Sequence, residues 1–259
     1  MRPAHVVAGS LIAIGLALFP APGFPQSSPS PAPSATPAVR SFVMLEDEYT
    51  PYYEQTGHGG NSLDVTAQMR LVAPLTGELY LLRIKIPFTT WAPASAATGG
   101  GDTTILALTA ARPTAAYWSL GLCASLPTGN LNSLGSGKWA GGPAVQYGFA
   151  TGRWSAGFTL RQYFSIAGNG ARTPYVRTDF TPSIVYDLGG GWYAGNSKMS
   201  FKYDWYSGRW LDVPLGLSVG KKLYGSLRGI DTQIEAERNL ANYLGSPEYT
   251  FRAQVKYSL

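Results

Sequence analysis

The sequence ends in the stretch Tyr249-Thr250-Phe251-Arg252-Ala253-Gln254-Val255-Lys256-Tyr257-Ser258-Leu259, in which apolar and polar residues alternate without a break. Successive side chains of a β-strand point to opposite faces, so alternation of period two is the pattern of a strand with two different faces. The stretch therefore predicts a strand that is apolar on one side and polar on the other.

The position of this strand adds a second indication. The chain stops on the pattern, and the aromatic Tyr257 stands close to the apolar terminal residue Leu259. Such an ending is typical of the closing strand and export signal of bacterial outer-membrane β-barrels. We therefore expect the protein in the bacterial outer membrane, with outer-membrane lipids and the barrel assembly machinery as partners.

The start of the sequence predicts export. Arg2 and His5 precede an apolar and small-residue run from Val6 to Phe19, which Pro20 ends. This is the pattern of a secretory signal peptide, predicted at residues 1–23, and the run is too short for a membrane-spanning helix. Residues 24–40 are rich in Pro, Ser and Ala and predict a flexible segment. Residues 41–259 remain for the barrel.

Period-two alternation recurs through residues 41–259 and predicts an all-β fold, a closed transmembrane antiparallel β-barrel of about 12 strands. Each strand has about the length that a tilted strand needs to cross a membrane. The clearest segments lie at 63–71, 80–88, 118–126, 154–160, 177–188, 198–205, 211–219 and 249–259. Weaker segments lie near 42–52, 101–111, 139–150 and 224–238.

The connections between these segments alternate in length. Tight turns are predicted at residues 74–77, 112–115, 151–153 and 189–191, and longer loops at 55–60, 90–100, 128–138, 168–173 and 239–246. Short periplasmic turns and longer outer loops are the asymmetry of outer-membrane barrels. An even number of strands then places both ends of the barrel domain in the periplasm.

The seven tryptophans fall near the ends of the predicted strands. Their amphipathic rings favour the two membrane interfaces, so this placement predicts two aromatic girdles. The alternative is a soluble β-sandwich, whose strands also alternate, with the tryptophans as core residues. The terminal strand and the asymmetry of the turns favour the membrane barrel.

If the apolar faces meet lipid, the residues between them line the lumen. The predicted lumen-lining residues are Arg70, Arg83, Lys85, Arg161, Arg177, Asp179, Lys198, Lys202, Asp204, Arg252 and Lys256. Mixed charge of this kind can line a polar conduit, or it can hold a small barrel shut through paired side chains. We expect Arg252 and Lys256 near Glu235 and Glu237 on one neighbouring strand, and near Glu46 or Glu48 on the first strand.

Composition excludes several other classes. The 20 basic and 15 acidic residues give too mild a positive charge to predict nucleic-acid binding. The single cysteine, Cys123, has no partner for a disulfide, and no group of residues predicts a metal site or a cofactor. The stretch Gly135-Ser-Gly-Lys138 lacks the residues of a phosphate-binding loop, because Trp139 stands where Ser or Thr would hold magnesium.

An enzymatic barrel remains an alternative. A lipid-acting hydrolase with a Ser-His pair would need His58, which is the only histidine after the signal peptide. His58 stands among glycines in a predicted loop with no obvious orienting partner, so the sequence favours a protein without enzyme activity. A plugged barrel with a structural or adhesive role is the other alternative.

Four groups of residues carry a family resemblance. They are Gly101-Asp102-Thr103; Leu134-Gly-Ser-Gly-Lys-Trp-Ala140 with Gly142-Pro-Ala144; Asp187-Leu188 with Gly191-Trp-Tyr193; and Trp210 with Pro214, Gly216, Gly220 and Lys221. Over residues 60–259 the chain resembles the outer-membrane β-barrel transporters of the phenol-degradation MetA-pathway family. The resemblance implies a closed barrel that passes small molecules, aromatic or hydrophobic compounds among them, and it carries no catalytic residues.

The sequence thus predicts a porin-like channel or uptake protein that works by passive diffusion of small-molecule solutes. The glycine-rich loops at 90–100 and 128–138 are the predicted gates, since such loops can fold inward or move. The sequence does not specify the transported substrate.

Overall fold

The computed structural model describes residues 41–51, 60–72, 79–91, 98–109, 116–129, 134–241 and 248–259. The predicted signal peptide at 1–23 and the flexible segment at 24–40 lie outside the described residues and stay predictions. His58 and the predicted turns at 74–77 and 112–115 also lie outside them.

The described residues form fifteen strand segments. In chain order they are β1 (Phe42–Thr50), β2 (Gly60–Val72), β3 (Leu79–Trp91), β4 (Gly99–Gly100), β5 (Thr103–Thr109), β6 (Ala116–Leu126), β7 (Lys138–Thr151), β8 (Trp154–Gly168), β9 (Val176–Gly189), β10 (Trp192–Asn196), β11 (Phe201–Asp204), β12 (Arg209–Asp212), β13 (Pro214–Lys222), β14 (Ile230–Asn239) and β15 (Tyr249–Ser258). One 3-10 turn, Gly225–Leu227, precedes β14. In this part of the chain no helix is long and apolar enough to cross a membrane.

These segments make a closed antiparallel barrel of 12 strands. Three pairs of consecutive segments each act as one strand, which reduces fifteen segments to twelve strands. β4 and β5 both pair with β3, and β10 and β11 both pair with β9. β12 pairs with β11 and β13 pairs with β10, so β12 and β13 form the third such strand. The ring then runs from β1 through β9 to β10, β13, β14 and β15, and β15 pairs with β1. Closure removes the free sheet edges, which lipid could not hydrogen-bond.

The closing seam confirms the predicted role of the last strand. β1 and β15 pair antiparallel along eight residues, from Phe42 beside Ser258 to Tyr49 beside Phe251. On the apolar face of β15, Phe251 is 47% exposed, whereas the side chain of Arg252 on the other face is only 10% exposed. The alternation in the sequence is therefore the alternation of the two barrel faces.

The outer face of the barrel is a continuous apolar surface. Large hydrophobic side chains are widely exposed there, among them Leu122 on β6 at 66%, Ile166 on β8 at 77% and Leu217 on β13 at 76%. A soluble monomer rarely exposes contiguous apolar surface of this extent. The fold and this surface are those of a bacterial outer-membrane barrel, which confirms the predicted localisation and rules out the β-sandwich.

Tryptophans mark both rims of the barrel. Trp118, Trp154 and Trp192 follow the connections at one rim, and Trp139, Trp205 and Trp210 stand at the other. All six side chains are exposed, and several stack on neighbouring aromatics, as in the Trp118–Tyr147 pair with ring centroids 4.6 Å apart. The two predicted girdles are confirmed for these residues.

Two predicted strands are interrupted. The segment predicted at 198–205 as one strand breaks at residues 197–200, and strand structure resumes at Phe201. The segment predicted at 211–219 breaks at Val213 and has a bulge, because Lys202 pairs with Asp212 while Tyr203 pairs with Trp210. The extra residue at the bulge brings Trp210 to the face of Tyr203, so the predicted outward face beginning at Leu211 is wrong there.

Candidate functional site

The face opposite the lipid surface carries two groups of charged side chains. The closure cluster surrounds the seam between β1 and β15 and consists of Glu46, Glu48, Asp64, Lys85, Lys198, Glu235, Glu237 and Arg252. The arginine patch consists of Arg83, Arg161, Arg177 and Asp179. β1 and β8, which carry members of the two groups, are six strands apart in either direction around the ring and hence face each other.

Arg252 ties three strands together in the closure cluster. Its Nε donates to Glu48 Oε2 on β1 at 2.8 Å, and its two terminal nitrogens donate to the two carboxylate oxygens of Glu237 on β14 at 3.0 and 3.1 Å. Glu235 Oε2 lies 3.5 Å from Arg252 Nη1. The expected proximity of Arg252 to these glutamates is confirmed.

Lys256 was expected near Glu235 and Glu237 as well, and for these two glutamates the expectation is wrong. Its Nζ lies 3.1 Å from Asp231 Oδ2, on the neighbouring strand β14. Lys256 and Asp231 are direct partners in the ladder, whereas Glu235 lies beside Arg252. The pairing register therefore divides the acids of β14 between the two cations of β15.

A second centre of the cluster is Glu46, whose side chain is fully buried. Its Oε1 accepts a hydrogen bond from Lys198 Nζ at 2.5 Å and lies 3.9 Å from Lys85 Nζ, and Lys85 also forms an ion pair with Asp64. Glu46 Oε2 has no hydrogen-bond partner among the described residues. The cluster holds five carboxylates and three cations, which leaves a net charge of −2.

The inward segment Ser197–Ser200, between β10 and β11, brings Lys198 to Glu46. Ser197 N donates to Gly216 O at 3.0 Å, Ser197 Oγ donates to Glu237 Oε2 at 3.0 Å, and Lys198 N donates to Glu235 Oε2 at 2.9 Å. The segment thus leans over the inner surface of β13 towards β14.

Glycine at position 216 makes room for this segment. A Cβ there would lie 2.6 Å from Ser197 Oγ and 2.2 Å from the carbonyl oxygen of Ala236, and real Cβ atoms do not come so close to other atoms. Lys198 was predicted on a regular strand. The structure instead gives it a place on the inward segment, from which it reaches a residue four strands away around the ring.

The arginine patch is built on β8 and β9, with Arg83 added from β3. Arg177 holds Asp179 with two hydrogen bonds, from Nε to Oδ1 at 2.7 Å and from Nη2 to Oδ2 at 3.3 Å, and its guanidinium lies over the ring of Tyr163. Arg161 Nη2 is 3.9 Å from Asp179 Oδ2 and donates to Thr181 Oγ1 at 3.4 Å. Asp179 is therefore shared by two arginines.

Arg83 is bound by an amide and not by an acid. Its Nε and Nη2 both donate to Gln68 Oε1, at 3.0 and 2.7 Å. No carboxylate among the described residues forms an ion pair with Arg83. Three arginines and one aspartate give the patch a net charge of +2.

Besides Lys256, three predicted residues belong to neither group. Arg70 is exposed near the end of β2. Lys202 on β11 forms an ion pair with Asp212 on β12 at 2.6 Å. Asp204 ends β11, and its carboxylate accepts hydrogen bonds from Ser207 Oγ at 2.6 Å and from backbone N–H groups of the connection to β12, so its contacts hold that turn.

A carboxylate also fixes part of a predicted gate. Asp102 Oδ2 accepts hydrogen bonds from Ser136 N and Ser136 Oγ at 2.7 and 2.6 Å, and its Oδ1 accepts one from Gly129 N at 3.2 Å. Thr128 Oγ1 donates to Gly101 O at 3.0 Å. Both ends of the connection between β6 and β7 are thereby tied to the residues that precede β5.

Some residues of the inner face are absent from the prediction. Tyr163 is almost fully buried beneath Arg177, and Tyr193 donates to Asp231 Oδ1 at 2.7 Å. Gln146 Nε2 donates to Tyr117 OH at 3.1 Å. The sequence could have indicated Tyr163, because it follows Arg161 at a spacing of two, but the predicted lumen-lining set was restricted to charged residues.

The described residues hold no group of three or more His, Cys, Asp or Glu side chains placed to bind a metal ion. Both histidines of the chain lie outside those residues. Cys123 is buried with its Sγ directed at backbone carbonyl groups of β7 and β8.

No protein-family model matches the sequence, and no curated protein matches it either. Solved structures do match the fold. An outer-membrane channel from Pseudomonas putida F1 aligns with a TM-score of 0.59 and 14% identity, over 89% of this chain and 99% of the channel. The KdgM porin aligns with a TM-score of 0.54 and 13% identity, over 84% of this chain and 99% of the porin.

Outer membrane phospholipase A from Escherichia coli aligns with a TM-score of 0.48 and 9% identity, over 85% of this chain and 96% of the phospholipase. A similarity this low does not bear on activity. The two better matches are similar to this chain in fold, which is that of an outer-membrane β-barrel.

Proposed function

We propose that the protein is a passive outer-membrane channel for small-molecule solutes, and that the charged residues predicted from the sequence line its conduit. The observation that carries the proposal is the state of the inner charges. Side chains on both inner walls are partly open to solvent, with Arg161 at 24%, Lys85 at 30% and Lys198 at 33% exposure. Lys85 and Lys198 keep this exposure although both form ion pairs, whereas a barrel packed shut by its ion pairs would bury these side chains.

The sign of the charges supports the same conclusion. The closure cluster has a net charge of −2 around β1. The arginine patch has a net charge of +2, with Arg161, Arg177 and Asp179 on β8 and β9 across the ring and Arg83 on β3. Uncompensated charge of either sign attracts ions, and low-dielectric walls focus its field along the lumen. The inward segment Ser197–Ser200 narrows the passage on the side of β13 and β14 and leaves the wall of the arginine patch as the other boundary.

The resemblance to the phenol-degradation MetA-pathway family supports membership of that family and small aromatic or hydrophobic solutes as cargo. We further propose that residues 1–23 are a signal peptide, that residues 24–40 are a flexible segment, and that the barrel assembly machinery inserts the barrel. The predicted gates at 90–100 and 128–138 are part of the proposal. In this account the protein is a channel and has no enzyme activity.

Solute flux through the refolded protein in liposomes tests the proposal. Small sugars, charged solutes and simple aromatics are compared for the wild type and for the Arg83→Ala/Lys85→Ala variant, in protein whose heat-modifiable gel mobility demonstrates folding. Flux that changes in the variant supports a conducting lumen. Folded protein that passes no solute refutes it, and lipid turnover in wild type and His58→Ala protein then tests the enzymatic alternative.

The gating part of the proposal has its own test. Deletion of residues 93–99 shortens the predicted gate after β3, removes the first residue of β4, and raises flux if that loop narrows the entrance. Unchanged flux through a folded deletion variant eliminates this loop as a gate.

A further inference from the structure

The arginine patch has more positive charge than its own residues neutralise. Asp179 is its one carboxylate, and Arg177 takes both oxygens of that group at 2.7 and 3.3 Å. Arg161 reaches the same aspartate only at 3.9 Å. One negative charge therefore serves two arginines, and Arg83 receives none.

Arg83 and Arg161 both lie on the inner face of the barrel, on strands that are four apart around the ring. Their charges are close enough to act on each other, and Tyr117 is also within electrostatic reach of Arg83. Two guanidinium groups repel each other when no anion lies between them. An anion from outside the protein that binds between them would relieve this repulsion.

Hydrogen-bonding capacity at the patch is also left unused. Arg161 Nε and Gln146 Oε1 are buried and have no hydrogen-bond partner within the described part of the chain. Gln146 on β7 points to the same face as Arg161, diagonally across the ladder from it. These two groups are therefore available to hydrogen-bond a solute or water in the lumen.

The surroundings of the patch strengthen its attraction for anions. Leu106 lies beside Arg83 in the ladder, and Leu106, Leu108 and Tyr163 on the same inner face are almost completely buried. Charges above an apolar layer act in a lower effective dielectric than charges in bulk water. A guanidinium group also offers a planar fork of donors that matches the two oxygens of a carboxylate.

We propose that Arg83 and Arg161 form a recognition site for small carboxylate anions, which the channel passes in preference to cations of similar size. The proposal rests on the channel function proposed above and adds that the preferred small solutes carry a carboxylate group. Gln146 and Tyr117 border the site, and Asp179 sets its charge by neutralising Arg177.

Currents through single barrels in planar lipid bilayers test the site. Reversal potentials in gradients of potassium acetate and of potassium chloride give the permeability of each anion relative to potassium. The variants are Arg83→Gln/Arg161→Gln and the matched control Arg153→Gln, which removes one charge from the exposed turn between β7 and β8. We expect the ratio of acetate to potassium permeability to fall about tenfold in the double variant, as for loss of one hydrogen-bonded charge contact, and to stay unchanged in the control.

A further variant separates charge from shape. Arg83→Lys/Arg161→Lys keeps both charges but loses the two planar guanidinium groups. We therefore expect the ratio of chloride to potassium permeability to stay as in the wild type and the ratio of acetate to potassium permeability to fall. If the Arg83→Gln/Arg161→Gln variant does not fold, the variant Gln146→Glu tests the carboxylate site in its place. This nearly isosteric change adds a carboxylate beside the site and is expected to lower the acetate ratio.

The outcomes distinguish the two proposals. A double variant that conducts with its acetate ratio within about twofold of the wild type overturns the carboxylate site and leaves the channel standing, as does an unchanged ratio in Gln146→Glu. Folded wild-type protein that carries no current in either salt overturns the channel function itself, and the carboxylate site with it.

Discussion

Replacement of Arg252 by methionine tests whether the closure cluster holds the barrel together. The change removes one cation that is 10% exposed, together with its hydrogen bonds to Glu48 at 2.8 Å and to Glu237 at 3.0 and 3.1 Å. Glu235, 3.5 Å away, loses its nearest counter-charge as well. Methionine has a similar volume, so the loss is one of charge and hydrogen bonds more than of packing.

The size of the effect follows from these contacts. A single hydrogen bond to a charged group contributes about 1.5–3 kcal/mol, and removal of one member of a buried ion pair costs about 3–5 kcal/mol because the remaining charge is left without compensation. We therefore expect Arg252→Met to lower the free energy of unfolding by about 3–5 kcal/mol. Lys256→Met on the same strand is the matched control; its partner Asp231 is a single carboxylate and Lys256 is 36% exposed, so we expect about 1 kcal/mol or less.

Urea-induced unfolding in lipid vesicles, followed by tryptophan fluorescence, measures both changes. A double-mutant cycle of Arg252→Met with Glu237→Gln isolates their interaction, which we expect to exceed about 1 kcal/mol for residues in direct contact. A loss for Arg252→Met no larger than that for Lys256→Met, together with no coupling to Glu237, would refute the conclusion that this arginine ties the strands together.

Three further predictions concern other parts of the barrel. Leu122→Arg, near the middle of the lipid-facing side of β6, should destabilise the barrel by about 2–4 kcal/mol in the same unfolding assay. Ile166→Arg, near the end of β8, should destabilise it by only about 0–1 kcal/mol, and equal losses would contradict the placement of the membrane. Asp102→Asn weakens the hydrogen bonds that hold the connection between β6 and β7, so limited proteolysis should cut that connection faster than in the wild type. An unchanged cleavage rate would show that other contacts hold the ends of the connection. Trp205→Phe removes the hydrogen bond from the indole nitrogen to Thr178 Oγ1 at 2.7 Å and should lower the free energy of unfolding by about 0.5–1.5 kcal/mol. Urea unfolding that shows no difference from the wild type would contradict a stabilising role for this hydrogen bond.

Much of the fold was predictable, because in a barrel one local pattern carries most of the information. Alternation of period two assigns each residue to lipid or lumen without knowledge of any other strand, and the last strand is correct residue by residue along β15. Antiparallel neighbours joined by short turns then set the strand order. The interruption at residues 197–200 was not predictable, because Lys198 and Met199 continue the alternation of Phe201 and Tyr203 without a break.

The candidate site was predictable only in part, for a physical reason. Period two identifies Arg83, Arg161 and Arg252 as residues of the inner face, but it does not say which acid each will meet. That depends on strand register and on distance across the lumen. Lys198 reaches Glu46, which is 152 positions away in the sequence, and Lys256 takes Asp231 because the register places these two side by side. Gln68, the partner of Arg83, carries no charge and so gave no electrostatic signal.

The distribution of the inner charges reflects what each part of the barrel has to specify. The first and last strands are joined by no turn, so side chains have to help fix their register, and a slip of one residue would turn every apolar side chain of β15 into the lumen. Glu48 lies beside Arg252 in the ladder across this seam, and Lys198 adds a contact to Glu46 on β1 from the segment after β10, four strands away around the ring. Short turns of two residues already fix the register between β7 and β8 and between β9 and β10, at residues 152–153 and 190–191. Arginines on that wall are therefore not needed for closure, which is why we assign their unneutralised charge to the solute and not to the fold.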